Sequence, residues 1–244
     1  MVEERTDRGL GKEVEETAKT YKQQYVEQGD IWERLWKRGV YTNPVTEAFL
    51  SSLPPLSKVL DQGCGTGVFT VELLRRGHSV VAFDVVPEGV KVVREKVEGM
   101  KQPKGTVDLF VGELTTKTYL PEEFDGIIDY YSLQHLPQAT QEQLLESMTL
   151  SLKAGGLLLL ALFSTKQFLD RPDRYQQVGA VGWKLEMGEG TRYFYPWTSA
   201  DLVRHLKGLG LQVLSTYEGE GGEKVELLAR RTKGGKSITN LRQK

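Results

Sequence analysis

The amino-acid sequence predicts an α/β protein built on a doubly wound, mostly parallel seven-stranded sheet, with an N-terminal helical segment ahead of it. Three observations carry that expectation. Short Val-, Ile- and Leu-rich runs without polar alternation recur between helical stretches, as parallel strands covered on both faces require. A glycine-rich turn, Gly63-Cys64-Gly65-Thr66-Gly67, joins the first of these runs to a helical one. Two further strand-like runs near residue 230 follow each other without an intervening helix and read as a closing pair.

The elements follow in order. A chain of 244 residues, 39% hydrophobic and 27% charged, can bury a sizeable core in one domain carrying an appended segment. Residues 1–54 are that segment, a helical cap or lid. Within it "KEVEETAKTYKQQYVEQGDIWERLWKRG" reads as one or two amphipathic helices with a break at Gly29-Asp30, and Tyr21, Tyr25, Trp32 and Trp36 recur at spacings of four and seven, as a face packed on the body of the protein does. "TNPVTEAFLSSLPPLS" is a helix stopped by Pro54 and Pro55. The domain proper, 55–231, opens with strand "KVLDQG", helix "GVFTVELLRRG" and strand "SVVAFDV". Helix "PEGVKVVREKVEGM", strands "VDLFVGE" and "EEFDGIIDYYSL", helix "TQEQLLESMTLSLKAGG" and strand "LLLLALF" continue the alternation. Residues 164–197 lack clear periodicity and read as an insertion above the strand ends, a lid or wall on the substrate side. Helix "TSADLVRHLKGLG" precedes the closing strands "LQVLSTYEG" and "EKVELLARR", and 232–244 form a basic tail.

Composition excludes several function classes. Thirty-two Lys and Arg against 33 Asp and Glu leave a net charge of −1, which supplies no field to draw the chain onto nucleic acid or a membrane surface. The longest apolar stretch, Leu157 to Phe163, is too short to span a bilayer, and the charged opening "MVEERTDRG" lacks the apolar core of a signal peptide, so the expected location is cytoplasmic. One cysteine, Cys64, and three scattered histidines, His78, His135 and His205, give no metal cluster. The sequence leaves the oligomeric state open.

At a strand-to-helix turn, glycines permit positive φ and let a ligand approach without a Cβ in the way, while the first amides of the helix face it. The turn is therefore expected to hold a cofactor. A dinucleotide fingerprint is a poor match, because the third glycine comes one residue early and Val68 stands where Gly or Ala belongs. "VLDQGCGTG" instead resembles the first motif of the class I S-adenosylmethionine-dependent methyltransferases. Asp84 at the end of the second strand, Gly112-Glu113-Leu114 after the third, "FDGIIDYYSLQHLP" at the fourth and "LKAGGLLLLALF" at the fifth resemble the family's later motifs in order, over residues 55–163. Glu113 departs from the commoner Asp and Ala154 from a frequent proline. The absence of an "NPPY"-type motif at Asp129-Tyr130-Tyr131 speaks against base-amino methylation of DNA.

The resemblance implies a Rossmann-like fold, S-adenosyl-L-methionine as cofactor, and cofactor contacts from Asp61, Gly63, Cys64, Gly65, Gly67, Asp84, Val85, Glu113, Leu114, Asp129 and Tyr130. Asp84 is expected to accept hydrogen bonds from the ribose hydroxyls. Cys64 is expected to pack, having no adjacent base to activate it. His135 lies where the family's loop comes near the transferred methyl, and two readings stay open: a general base, or a residue that orients the loop. Tyr25, Trp36, Tyr131, Trp183, Arg192 and Tyr193 are the candidate substrate wall, with Arg192 available to bind an acid. The segment "IWERLWKRGVYTNP" is similar to the aromatic N-terminal segment of the thiopurine and tellurite-resistance methyltransferases, which implies a small-molecule acceptor with N, O or S transfer undecided. RNA or protein modification, and a silent cofactor-binding subunit, are the alternatives.

Overall fold

The computed structural model describes residues 8–28, 43–101, 103–116 and 119–232. Trp32, Trp36 and the tail from residue 233 lie outside the described residues, as does the side chain of Tyr25. The segments α1 (Arg8–Gln28), α2 (Pro44–Ser52), β1 (Lys58–Gln62), α3 (Val68–Arg75), β2 (Ser79–Asp84), α4 (Pro87–Glu98) and β3 (Thr106–Val111) are followed by β4 (Phe124–Tyr130), α5 (Gln138–Ser151) and β5 (Leu152–Phe163). Next come α6 (Thr165–Leu169), β6 (Gln176–Val178), β7 (Gly182–Met187), β8 (Gly190–Phe194), α7 (Ser199–Gly208), β9 (Leu211–Glu218) and β10 (Lys224–Arg231).

The main sheet has seven strands in the order β3-β2-β1-β4-β5-β10-β9. The first five are mutually parallel, and β10 runs antiparallel between β5 and β9. The expected seven-stranded, mostly parallel, Rossmann-like sheet and its closing pair are present. Alternate residues of the buried strands feed opposite faces. Leu60, Ile127, Leu158 and Leu160 pack with Leu145 and Met148 of α5 and Leu202 and Leu206 of α7. Val59, Ile128, Leu157 and Leu159 pack with Phe49 and Leu50 of α2 and Leu73 and Leu74 of α3. Two covered faces explain why these strands read as continuous apolar runs. Strand order reverses between β1 and β4, and the crevice at the carboxyl ends of those strands is where such sheets take ligands.

The insertion departs from the sequence expectation. In place of aperiodic chain it holds α6 and a three-stranded antiparallel sheet, β6-β7-β8. The signal was present but short: Trp183, Leu185 and Met187 alternate with Lys184 and Glu186, and the first set packs with Phe168, Tyr175 and Phe194 in a small core of its own. Five residues of period two are easily lost beside an 18-residue helical window.

Helix α1 ends at Gln28, next to the expected break, and lies along β8 as a strap. Its buried face is polar: Thr17, Thr20 and Gln24 are each under 7% exposed. Thr17 and Thr20 meet the backbone of the edge strand β8, whose groups would otherwise face no partner, and Gln24 accepts from the Arg192 side chain. The Thr20 hydroxyl donates to the Thr191 carbonyl at 2.9 Å, and the Tyr193 amide donates to Thr17 Oγ1 at 3.1 Å. A Cβ on Gly190 would stand 2.5 Å from Thr20 Oγ1, so glycine there lets the helix approach this closely. Lys22 pairs with Glu88 of α4 at 2.9 Å and ties the strap to the opposite wall. Among the described residues no helix is long and apolar enough to cross a membrane.

Candidate active site

The crevice at the switch point opens into a cavity walled by the glycine turn, the ends of β2, β3 and β4, and α1. The turn residues Gly63, Gly65 and Gly67 take φ of 66°, 54° and 79°, as the sequence requires. Their missing side chains also serve the protein itself. A Cβ on Gly63 would fall 2.3 Å from the Ser132 Cβ, and one on Gly67 would fall 2.7 Å from a Val93 methyl, so both positions are bare because the turn after β4 and helix α4 press on the glycine turn. The Lys96 ammonium of α4 adds a bond to the Thr66 carbonyl at 2.9 Å.

Two buried acids face this cavity. Asp84 accepts from the Gly65 amide at 2.8 Å and from the Val86 amide at 2.9 Å, which fixes the carboxylate between turn and strand end. Asp61 accepts from the Thr70 hydroxyl at 2.5 Å. Burial raises both carboxyls above the usual carboxylate range; Asp61 is pushed up to about 7, with smaller contributions from the charges of Asp84 and Asp129. Such a set favours a cationic ligand, since a nearby positive charge is what these acids lack. Cys64 is buried, and burial with the charges of Asp61 and Asp84 pushes its thiol well above its ordinary range, so it packs as a neutral group.

His135 also lines the cavity, in the 3₁₀ turn Leu133–His135 after β4. Its Nδ1 lies 2.7 Å from the Tyr193 carbonyl, which can only accept, so Nδ1 carries the proton. Nε2 therefore holds the lone pair and accepts from the Tyr21 hydroxyl at 3.0 Å. Burial pushes His135 down to about 4, against the raising effect of the Tyr193 carbonyl, and the imidazole is neutral at physiological pH. Tyr21 comes from α1, so the N-terminal strap completes the pair.

Most of the expected residues come together here, and some do not. Asp61, Gly63, Cys64, Gly65, Asp84, Val85, Glu113, Leu114, Tyr130, Tyr131 and His135 line the cavity. Gly67 does not line it, but caps the N-terminus of α3 in the left-handed conformation. Asp129 is wholly buried beneath the surface, where it accepts from Gln62, from the Ser132 amide and hydroxyl and from the Leu133 amide. It holds the turn that carries His135 and does not reach the cavity. Trp183 packs inside the small core of the insertion, and the Tyr193 hydroxyl turns toward Glu16 on the outer side of α1. Arg192 lies one layer behind Tyr21, its guanidinium 4.1 Å over that ring.

Two participants escaped the sequence reading. Tyr21 lies on the helix face expected to pack on the body of the protein, yet it lines the cavity with Val14, Thr17 and Ala18 at helical spacing. Glu226, fully buried in β10, accepts from the Tyr130 hydroxyl at 2.7 Å and the Tyr131 hydroxyl at 3.3 Å, and also from Asn43, whose other side-chain atom caps α2. A lone acid within the apolar run Val225 to Ala229 was its signal. Tyr131, so held, has φ 67°, a left-handed conformation that a non-glycine residue keeps only under constraint.

A glycine turn and paired acids at the switch point of a doubly wound sheet define a nucleoside-cofactor enzyme. The methyltransferase-domain family model matches residues 59–156. The chain is 31% identical over 175 residues to a ubiquinone biosynthesis O-methyltransferase of Xanthomonas euvesicatoria, covering 70% of each protein. It is 36% identical over 76 residues to a magnesium-protoporphyrin O-methyltransferase of Rhodobacter capsulatus, a match spanning 31% of this chain and 32% of that one. The 1,6-didemethyltoxoflavin N1-methyltransferase of Burkholderia thailandensis, solved with its substrate and S-adenosylhomocysteine, superposes with a TM-score of 0.60 over 90% of each chain at 18% identity. The chain belongs to the class I S-adenosylmethionine-dependent methyltransferases and is an enzyme of that family using S-adenosylmethionine.

Proposed function

We propose that this enzyme methylates a small-molecule metabolite in the cytoplasm, at an acceptor atom that reaches the Tyr21–His135 pair. The observation that carries the reading is the 3.0 Å contact between the Tyr21 hydroxyl and His135 Nε2, in the cavity that the glycine turn also lines. The relatives' names, a ubiquinone biosynthesis O-methyltransferase, a magnesium-protoporphyrin O-methyltransferase and a 1,6-didemethyltoxoflavin N1-methyltransferase, support a small acceptor. The balanced charge disfavours RNA.

When bound, the cofactor supplies an activated methyl group on a cationic sulfur. Asp84 would hold the ribose hydroxyls, for each of its oxygens has a lone pair beyond the one given to a backbone amide. Val85 and Leu114 would flank the base, with Glu113 near its polar edge, and Asp61 would balance positive charge. The strap α1 would close the cavity and exclude water, and the insertion 164–197 would form the acceptor wall. Tyr21 passes its proton to His135 Nε2 as it takes one from the acceptor, so the pair acts as a relay. A base pushed down to about 4 is weak, yet an acceptor whose lone pair is being consumed in a new bond becomes strongly acidic, and a weak base then suffices. Because the imidazole is already neutral, no deprotonation has to precede turnover at pH 7.

The test is transfer from methyl-labelled S-adenosylmethionine into an extract separated into small-metabolite, RNA and protein fractions. Label in the small-metabolite fraction, lost in His135→Ala, supports the reading. Label in RNA or protein, or cofactor binding with no transfer to any fraction, contradicts it.

A further inference from the structure

Arg192 is a buried cation without an anion. Its side chain is 8% exposed, Nη2 donates to the Gln24 side-chain oxygen, and Nε–H has no acceptor. None of the ion pairs among the described residues involves it. A guanidinium left in this state is unfavourable, and a protein that retains one has a use for the unspent donor. Its position shows what the use is. Arg192 pairs across the sheet with Leu185, and the neighbouring pair on that same face is Trp183 with Phe194, so it is a single cation at the margin of the apolar and aromatic core of the insertion. That core adjoins the reaction site: the Phe194 ring lies 4.9 Å from the His135 ring, and Tyr21, which lines the cavity, lies under the guanidinium.

We infer that the methyl acceptor carries an oxyanion, a carboxylate or a phosphate or phosphonate group, which Arg192 binds. This rests on the small-molecule reading above and names the class of substrate. The planar fork of the guanidinium suits either group.

The test is thermal denaturation of the full chain saturated with S-adenosylhomocysteine, with added benzoate, 4-hydroxybenzoate, phenylphosphonate or phenyl phosphate, and with benzamide and 4-hydroxybenzamide as neutral matches. At least one oxyanion should raise the midpoint where its neutral match does not, and the carboxylate and phosphorus arms show which group is preferred. R192Q should bind that probe roughly 10- to 100-fold more weakly. S-adenosylhomocysteine itself should stabilise R192Q as it does the parent, which also shows that the variant folds; if R192Q does not fold, R192K, a charge without the fork, should weaken the probe and spare the cofactor product. Stabilisation by S-adenosylhomocysteine with no oxyanion effect, equal effects of acid and amide, or an undiminished effect in R192Q or R192K would each overturn the inference. Failure of S-adenosylhomocysteine to stabilise the parent would instead remove the functional reading beneath it.

Discussion

Replacing Asp61 by Asn should stabilise the free protein and weaken its cofactor binding, in a pH-dependent manner. In the folded chain Asp61 is pushed up to about 7, first by burial, whereas in the unfolded chain it titrates at about 3.9. Between those values the folded protein holds a proton that the unfolded chain has lost, so stability falls as pH rises from about 4 to about 7 and stays low above that. The full difference corresponds to about 4 kcal/mol. Losing the bond from Thr70 to a charged acceptor returns about 1–2 kcal/mol of it, and roughly 2–3 kcal/mol remains. For a chain of this size that is about 5–10 °C in Tm. Calorimetric scans without cofactor at pH 5, 6, 7 and 8 should show the two proteins melting together at pH 5 and Asp61→Asn melting higher at pH 8. Asp84 and Asp129 are also raised, but they contribute to both proteins and drop out of the difference to first order. Saturating S-adenosylmethionine should stabilise the parent more than the variant. A difference independent of pH, or a variant that melts lower at pH 8, would refute the reasoning.

His135, pushed down to about 4 where the unfolded chain titrates near 6.5, contributes stability above about pH 6.5 that is lost as pH falls through 4, and transfer should keep its His135-dependent rate down to about pH 5. His135→Ala and Tyr21→Phe should each lower kcat about 10²-fold or more with S-adenosylhomocysteine affinity nearly unchanged, measured by labelled transfer and calorimetry; a rate limb near 6.5 that disappears in His135→Ala would contradict the assigned protonation. Gly67→Ala forces a left-handed alanine against Val93 and should cost about 2–4 kcal/mol in urea unfolding, while Gly155→Ala, at φ 85° with open space around it, should cost about 1 kcal/mol. Glu226→Gln should lose about 1–3 kcal/mol by the same assay, since two tyrosine hydroxyls and Asn43 converge on that carboxylate.

The glycine turn and Asp84 were legible because few other residues meet their demands. Positive φ at three positions within five selects glycine, and an acid one strand later has the turn amides to receive. The parallel strands were legible because burial on both faces erases polar alternation. The remainder of the site was hidden by distance in sequence. Tyr21 and His135 are 114 residues apart, and Glu226 is 96 from Tyr130. Nothing local marks such pairs, which depend on a strap and an antiparallel closing strand folding back over the same crevice. The motif resemblance also placed Asp129 at the cofactor, whereas its four bonds secure the turn beneath. In Gly63 and Gly67 the space read as ligand clearance is occupied by Ser132 and Val93.

The most direct test is calorimetric titration of the parent and of Asp84→Ala with S-adenosylmethionine, with NAD as the control. Saturable binding of S-adenosylmethionine to the parent, at least tenfold weaker in Asp84→Ala and absent for NAD, is the predicted result. Undiminished affinity in Asp84→Ala, or binding of NAD in place of S-adenosylmethionine, would contradict the assignment of this crevice.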